Sequence, residues 1–481
     1  MKTSINRRRF IAGAAVGGAG LLILGNGDSA RSYQANQKSN IALVGVGSRG
    51  KHFVRAIPRI GENLVALCDV NQRQTDGPSR DLPAARVYRD FRKLLDEMDR
   101  QIDAVVVATP VHTHAVIAMA AMRRGKHVYV EKPIAHDVGE ARAMRDMARR
   151  QEVVTQMGNQ GMATDSFRRI LELIQEGAIG EVREAHVVFE SGGTGPLRRP
   201  QGQPPVPESL DWDLWIGPAP MRPYHPGYLP PQFPGAGGRP ETPDLIGWNR
   251  WRDFGAGALG GAGAHSINLA FKALKLGALW NDADGKRSIR VETEISELCP
   301  DNFPRCQIVR YHLPARRSLP PAQIHWCNAW DTEIKKRGIV AELEKTSGQT
   351  LKWEKGSWSP HSFLFIVGSK GKAIANFHNS VCKLLPEKDF PNAAGPPQKL
   401  PRSGSHEREW VRACKGGPKP VSNFDHSGPV VELLLLGNVA SLVNRPLEFD
   451  PLACSILNDE EADRMLLPPY RNGWSLGDRL G

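Results

Sequence analysis

The feature that most constrains this chain is Gly45-Val46-Gly47-Ser48-Arg49-Gly50, set between an apolar run at 41–46 and a helical pattern reaching about residue 60. Each glycine at that spacing has its own use: a tight turn, close approach of backbone to a pyrophosphate, and close packing of helix on strand. The helix start then presents free N–H groups to an anion. Asp69 ends the next apolar run, 24 residues after Gly45. A carboxylate there bonds an adenosine ribose and repels a 2′-phosphate. The motif therefore points to a dinucleotide site contacted by Gly45, Gly47, Ser48, Arg49, Gly50 and Asp69, with NAD favoured over NADP. Arg73 lies close enough to keep NADP open.

Around this motif apolar strands alternate with helices. Strands are expected at 41–46, 64–68, 104–108, 128–130 and 153–157. Helices are expected to about 60, at 91–98 behind a capping Asp90, at 114–124 before Gly125, and at 139–150. The pattern is that of a Rossmann-type, doubly wound parallel α/β domain over 40–158. Beyond it, 159–481 reads as an α+β domain with an open, mainly antiparallel sheet. Its expected strands are 182–190, 289–294, 307–312, 324–329, 363–367 and 373–377. Helices are expected at 165–176, 260–276, 407–414 and 430–443, with 211–216 a short candidate element. The Gly-, Pro- and Trp-rich stretch 191–250 is long enough to be functional or to wrap a surface.

In an open α/β sheet ligands bind beyond the carboxyl ends of the strands. The strand at 128–130 ends in Glu131-Lys132-Pro133 and so delivers a carboxylate and an ammonium to that crevice. Thr109, Pro110 and His114 follow the strand at 104–108 and lie on the cofactor side, whereas His112 is expected to face solvent.

The net charge of +12 is scattered over the body, with three of those charges in the first 30 residues. No basic helix or aromatic-interleaved stripe stands out, so nucleic acid is not an expected partner. None of the seven cysteines forms a C-x-x-C pair, and no metal site is expected. Cys68 reads as inert core. Cys299 and Cys306 are candidates for a disulfide that the sequence leaves open. Arg7-Arg8 followed by Phe10-Ile11 and a Gly/Ala-rich apolar run over 12–25 resembles a twin-arginine export signal within 1–30, with a linker over 31–39. That implies a periplasmic protein with no stable membrane span after processing, or an anchored one if the signal is not cleaved.

The glycine motif, Thr109-Pro110…His114 and Glu131-Lys132-Pro133, in this order and spacing, resemble the glucose–fructose oxidoreductase / inositol dehydrogenase / MocA (Gfo/Idh/MocA) family. Met157-Gly158-Asn159-Gln160-Gly161, Trp212-Asp213-x-Trp215-Ile216-Gly217-Pro218 and Asn423-Phe424-Asp425 resemble its exported members. The resemblance implies tightly held NAD(P), sugar or polyol substrates, and homo-oligomers built on the C-terminal sheet. It places Lys132 between nicotinamide and substrate, Glu131 by the nicotinamide ribose, and Asn159 among the cofactor contacts. It also implies a catalytic helix with an Asp four residues before a His. His265 matches the His; Gly261 stands in place of the Asp, and Asn268 replaces a frequent second acid. Asp253 is a candidate substitute.

The resulting expectation is an NAD-dependent sugar oxidoreductase with Lys132 and His265 as catalytic residues. Two alternatives stay open. One is a redox-neutral NAD-using glycosidase or lyase working through a keto-sugar; the other is a catalytically impaired, NAD-bound binding protein.

Overall fold

The computed structural model describes residues 38–191, 195–229, 247–281, 288–316, 319–351, 362–391, 393 and 398–477. The expected export signal, the expected linker up to residue 37, and 192–194 and 230–246 of the long loop lie outside the described residues.

Six strands form the first sheet: β1 (Asn40–Val44), β2 (Asn63–Cys68), β3 (Arg86–Tyr88), β4 (Ala104–Val107), β5 (His127–Val130) and β6 (Thr155–Met157). All pairs are parallel, in the order β3-β2-β1-β4-β5-β6. Burial on both faces explains the unbroken apolar runs: every residue of β4 is buried. The strand order reverses between β1 and β4, which opens a crevice at their carboxyl ends.

Two glycines make the connection after β1 possible. Gly45 has φ +86°, and a Cβ there would lie 2.6 Å from the Ala108 carbonyl carbon. A Cβ on Gly50 would overlap the Gly45 carbonyl oxygen, so the helix Gly50–Arg59 can start this close to β1 only with glycine. The helix Phe91–Met98 is where the sequence placed it, with Asp90 Oδ1 accepting from Arg92 N–H at 2.9 Å. The helix Gln72–Asp81 and β3 had no expectation in the sequence. That helix contains Gly77 and Pro78 and buries only Thr75, so it has no apolar stripe to read.

Among the described residues the second sheet has nine strands: β7 (Val182–Glu190), β8 (Ile289–Ile295), β9 (Gln307–Leu313), β10 (Ala322–Ala329), β11 (Phe363–Gly368), β12 (Lys372–Asn376), β13 (Cys382–Leu385), β14 (Leu447–Asp450) and β15 (Ser455–Ile456). Their order is β13-β12-β11-β7-β10-β9-β8-β14-β15. Every pairing is antiparallel except β7 with β10, which sets His186 beside His325. One face packs Ala185, Val187, Val309, Tyr311, Ile324 and Trp326 against the helices Gly257–Ser266, Asn268–Ala273 and Phe424–Val443. Part of the other face is covered by Asp331–Lys336 and Ile339–Ser347. The rest of that face carries charged rows such as Glu292, Glu294, Arg310 and His312.

The single helix expected over 260–276 is two helices, interrupted at Ile267. The helix expected from 430 begins at Phe424, capped by Asn423 and continuing through Pro429. It is long and apolar enough to cross a membrane, at mean hydropathy 1.3, yet 89% of that stretch is buried within the protein. Its all-round apolarity is that of a core helix. Cys299 and Cys306 are both free thiols.

Candidate active site

At the end of β2, Asp69 ties down the glycine loop. Its Oδ2 accepts from the N–H groups of Val46 (2.8 Å) and Gly47 (3.3 Å), and its Oδ1 from Asn71 N–H (2.9 Å). Burial raises its pKa, and these three hydrogen bonds oppose the rise. Arg73 is exposed and does not line the crevice. Arg89, which does, donates to Gln72 Oε1 and to the Glu208 carbonyl.

Two loops are braced by one histidine. His114 is buried, with Nδ1 2.8 Å from the Pro133 carbonyl and Nε2 2.8 Å from the Thr109 carbonyl. It links the turn after β4 to the turn after β5. Burial lowers its pKa more than the two carbonyls raise it. His112 does not face solvent: it is 2% exposed, with Nε2 2.9 Å from the Trp215 carbonyl, and burial lowers its pKa to about 3. The Trp-rich loop that covers it is invisible to a local reading of residues 109–114.

Glu131 sits under Gly158, where a Cβ would lie 2.6 Å from its carboxylate. Its Oε1 pairs with Arg49 Nε at 2.7 Å and accepts from Gln160 Nε2 at 3.4 Å. Next to it, Lys132 Nζ donates to the Gly261 carbonyl at 3.4 Å. Burial lowers the Lys132 pKa, with Glu131 opposing and Arg49 adding to the shift. Across from Lys132, His265 has its buried Nδ1 without a partner among the described residues. Its pKa lies well below the usual value because of burial, then Lys132, then His378.

One cavity of about 490 Å³ joins these groups. It takes in Gly45, Gly47, Ser48, Arg49, Asp69, Thr109, Pro110, His114, Glu131, Lys132 and His265. Gly50 serves loop–helix packing and is not in the wall. Asn159 is not brought to the cavity either. It is 1% exposed, and its amide is engaged by Asn268 Oδ1 (3.0 Å) and Met162 Sδ, while its Oδ1 accepts from Ser422. Asn268 lies outside the cavity as well; its Nδ2 donates to the carbonyls of Ala264 and His265, bracing the end of the helix. Asp253 pairs with Arg222 Nη2 at 2.5 Å and lines a separate cavity of about 270 Å³, so it does not replace the acid absent at Gly261.

The wall also holds residues the sequence did not single out: Gln160, Trp215, Trp248, Asn249, His378 and Trp474. Trp215 and Gln160 fall inside motifs that were visible, though only as motifs. Nothing local marks His378, which reaches the site from the turn between β12 and β13, or Trp474, which arrives from the far end of the second domain.

The residues present suit a dinucleotide: a glycine cradle that any Cβ would fill, a helix start, and a carboxylate at the end of β2. A family model described as "Oxidoreductase family, NAD-binding Rossmann fold" matches residues 39–159, and its partner, "C-terminal alpha/beta domain", matches 353–476. The chain belongs to the Gfo/Idh/MocA oxidoreductase family. Its first domain is an NAD-binding Rossmann domain. The chain is 30% identical over 214 residues to an alpha-N-acetylgalactosaminidase of Shewanella oneidensis, covering 39% of this chain and 46% of that one. It is 33% identical over 155 residues to a levoglucosan dehydrogenase of Pseudarthrobacter phenanthrenivorans, covering 30% and 39%. The match thus spans less than half the length of either relative. A solved levoglucosan dehydrogenase in complex with NADH and L-sorbose superimposes with TM-score 0.53 at 17% identity, over 86% of this chain and 99% of that one, and shows the same fold.

Proposed function

We propose that this protein oxidises a hydroxyl of a sugar, polyol or glycoside, with tightly held NAD as the acceptor. The observation that carries this reading is the single cavity running from the glycine loop and Asp69 to Lys132 and His265. Bound NAD supplies the electron-pair acceptor. The N–H groups at the start of the helix Gly50–Arg59 take the pyrophosphate, and Asp69 takes the adenosine ribose. Its charge, with Arg73 turned away, favours NAD over NADP. Glu131, fixed by Arg49 and Gln160, takes the nicotinamide ribose. The Lys132 ammonium bonds the reacting hydroxyl and stabilises the oxyanion as its proton leaves. His265, neutral because burial and Lys132 hold its pKa down, accepts that proton. Trp215, Trp248 and Asn249 supply apolar faces and an amide for a sugar ring.

A second reading is a redox-neutral glycosidase: transient oxidation would acidify the neighbouring C–H, the aglycone would leave by elimination, water would add to the resulting enone, and the hydride would return from the cofactor to the keto carbon. The named activity of the Shewanella relative favours it. One experiment separates the readings: load the purified protein with NAD and add free sugars, polyols and aryl glycosides. Net NADH from a sugar or polyol supports the oxidoreductase; released aglycone without net NADH supports the glycosidase. Neither product from any of them would leave the catalytically impaired binding protein.

The reading extends to residues 159–481 as the substrate and oligomerisation domain, with copies meeting on the charged face of the nine-stranded sheet. It also extends to export by the twin-arginine route, which carries folded, cofactor-loaded proteins. Sedimentation tests the first; replacing Arg7 and Arg8 by Lys tests the second and is expected to hold the precursor in the cytoplasm.

A further inference from the structure

His378 stands in the cavity with no counterpart among the residues the sequence marked. Its ring meets that of His265 edge to face, with centroids 4.9 Å apart and planes at 63°. Both rings line the same wall as Lys132.

The turn that presents His378 is held from several directions. Asn376 Oδ1 accepts from Ser380 N–H (2.8 Å) and Val381 N–H (3.1 Å), and its Nδ2 donates to Ser380 Oγ (2.9 Å). Asn379 takes the left-handed conformation at φ +54°. Its Oδ1 accepts from Leu269 N–H at 3.1 Å, in the first turn of the helix that follows His265. On the other side, a Cβ at Gly161 would overlap the His378 carbonyl oxygen, so only glycine lets the turn come this close. Asn376 and Asn379 are 1% and 0% exposed, so these bonds are shielded from water, whereas the His378 ring between them stays partly exposed. A turn fixed this tightly holds its imidazole in place before any ligand arrives.

We infer that His378 is a second acid–base residue of this site, receiving the substrate proton from His265 and exchanging it with water. The inference rests on the proposed oxidation of a sugar hydroxyl. That reaction frees one proton per turnover, and the residue one turn before His265 is Gly261, which offers no carboxylate. A proton on His265 alone would sit beside Lys132, with no acceptor at Nδ1 among the described residues. His378 supplies a neighbouring imidazole with access to solvent. The groups facing the pair are Lys132 and Arg49, both cationic, Glu131, paired with Arg49, and His406, whose Nε2 is engaged by the Met157 carbonyl. Burial and Lys132 hold His378 below the ordinary histidine value, so it too is neutral and ready to accept a proton at neutral pH.

The test uses the NAD-loaded protein and three variants: His378→Gln, His378→Ala and His265→Gln. Imidazole titrations followed by NMR need no substrate. In His378→Gln the His265 titration is expected to move up toward the ordinary value, and in His265→Gln the His378 titration is expected to shift as well. With a sugar that reduces bound NAD, His378→Gln is expected to slow single-turnover reduction by roughly 100-fold, with NAD affinity unchanged. Added imidazole is expected to restore His378→Ala, which a purely structural role would not allow. Wild-type rates and pH profile in His378→Gln would overturn the inference. If no sugar reduces bound NAD in the wild-type protein, the functional reading falls and the proton relay falls with it; mutual shifts then sustain only the coupling of the two rings, and independent titrations refute that as well.

Discussion

At the scale of single residues, Lys132 and Gly261 offer the sharpest tests. Lys132 is the one ammonium at the carboxyl end of β5 whose Nζ reaches across to the helix carrying His265. Lys132→Ala is expected to lower turnover by roughly two to three powers of ten, the range for losing an oxyanion donor, with NAD affinity falling less; a pre-steady-state measurement of bound NADH reads this. At Gly261 a Cβ would meet, among the described residues, only Asn249 Nδ2, at 3.9 Å, so a side chain fits there. Gly261→Asp puts a carboxylate one turn before His265, on the same helical face. A nearby negative charge favours the imidazolium, so the depressed pKa of His265 rises. The base form exists above that pKa, so the acid limb of the pH–rate profile lies below about pH 6.5 in wild type and is expected to move up in the variant. An unmoved limb would show that His265 does not set it.

At the scale of elements, the start of the helix Val138–Arg150 joins the two domains through a buried charge cluster. His136 Nδ1 pairs with Asp137 at 3.0 Å, and its Nε2 lies 2.6 Å from the Arg252 carbonyl of the second domain. Although burial opposes it, the Asp137 pairing wins and raises the His136 pKa to about 9. A histidine raised in the fold adds stability that is complete below its unfolded value near 6.5 and is lost as pH climbs through about 9. Glu140, held above the ordinary carboxylate range chiefly by burial, loses its own contribution at lower pH, before that of His136 is lost. The melting temperature is therefore expected to fall between pH 6.5 and 9, and His136→Gln is expected to flatten that fall; an equally steep fall in the variant would place its origin elsewhere. At this scale the sequence was readable wherever an element had a face. The helix Phe91–Met98 and strand β7 stand where their patterns put them. The helices Gln72–Asp81 and Asp331–Lys336 had no expectation, because each buries a single side chain and leaves no periodic signal.

At the scale of the whole molecule, distant segments complete the cofactor site. Residues 470–477 lie across the first domain: Arg123 donates to the Leu476 carbonyl, and Trp474 packs on Phe91 and under Arg92; Arg471 ties the same segment to Asp213 of the second domain at 2.6 Å. Trp474 and Phe91 both line the cavity that also holds Asp69 and Lys132. Trp474→Ala is expected to speed release of bound NAD by about three- to tenfold, the worth of one aromatic contact, measured by displacement with excess nucleotide; an unchanged release rate would confine Trp474 to packing. The sequence by itself determined the first domain, its glycine cradle, Asp69 and the delivery of Glu131 and Lys132. Those follow from local steric rules and from strand-to-helix alternation that repeats within a few residues. Only the tertiary structure decided that Asn159 and Asp253 lie outside the cavity, that His112 is buried, and that His378 and Trp474 stand in its wall. These depend on which surfaces of two domains meet, and on side chains hundreds of residues apart competing for the same hydrogen-bond partners. No window along the chain contains that information.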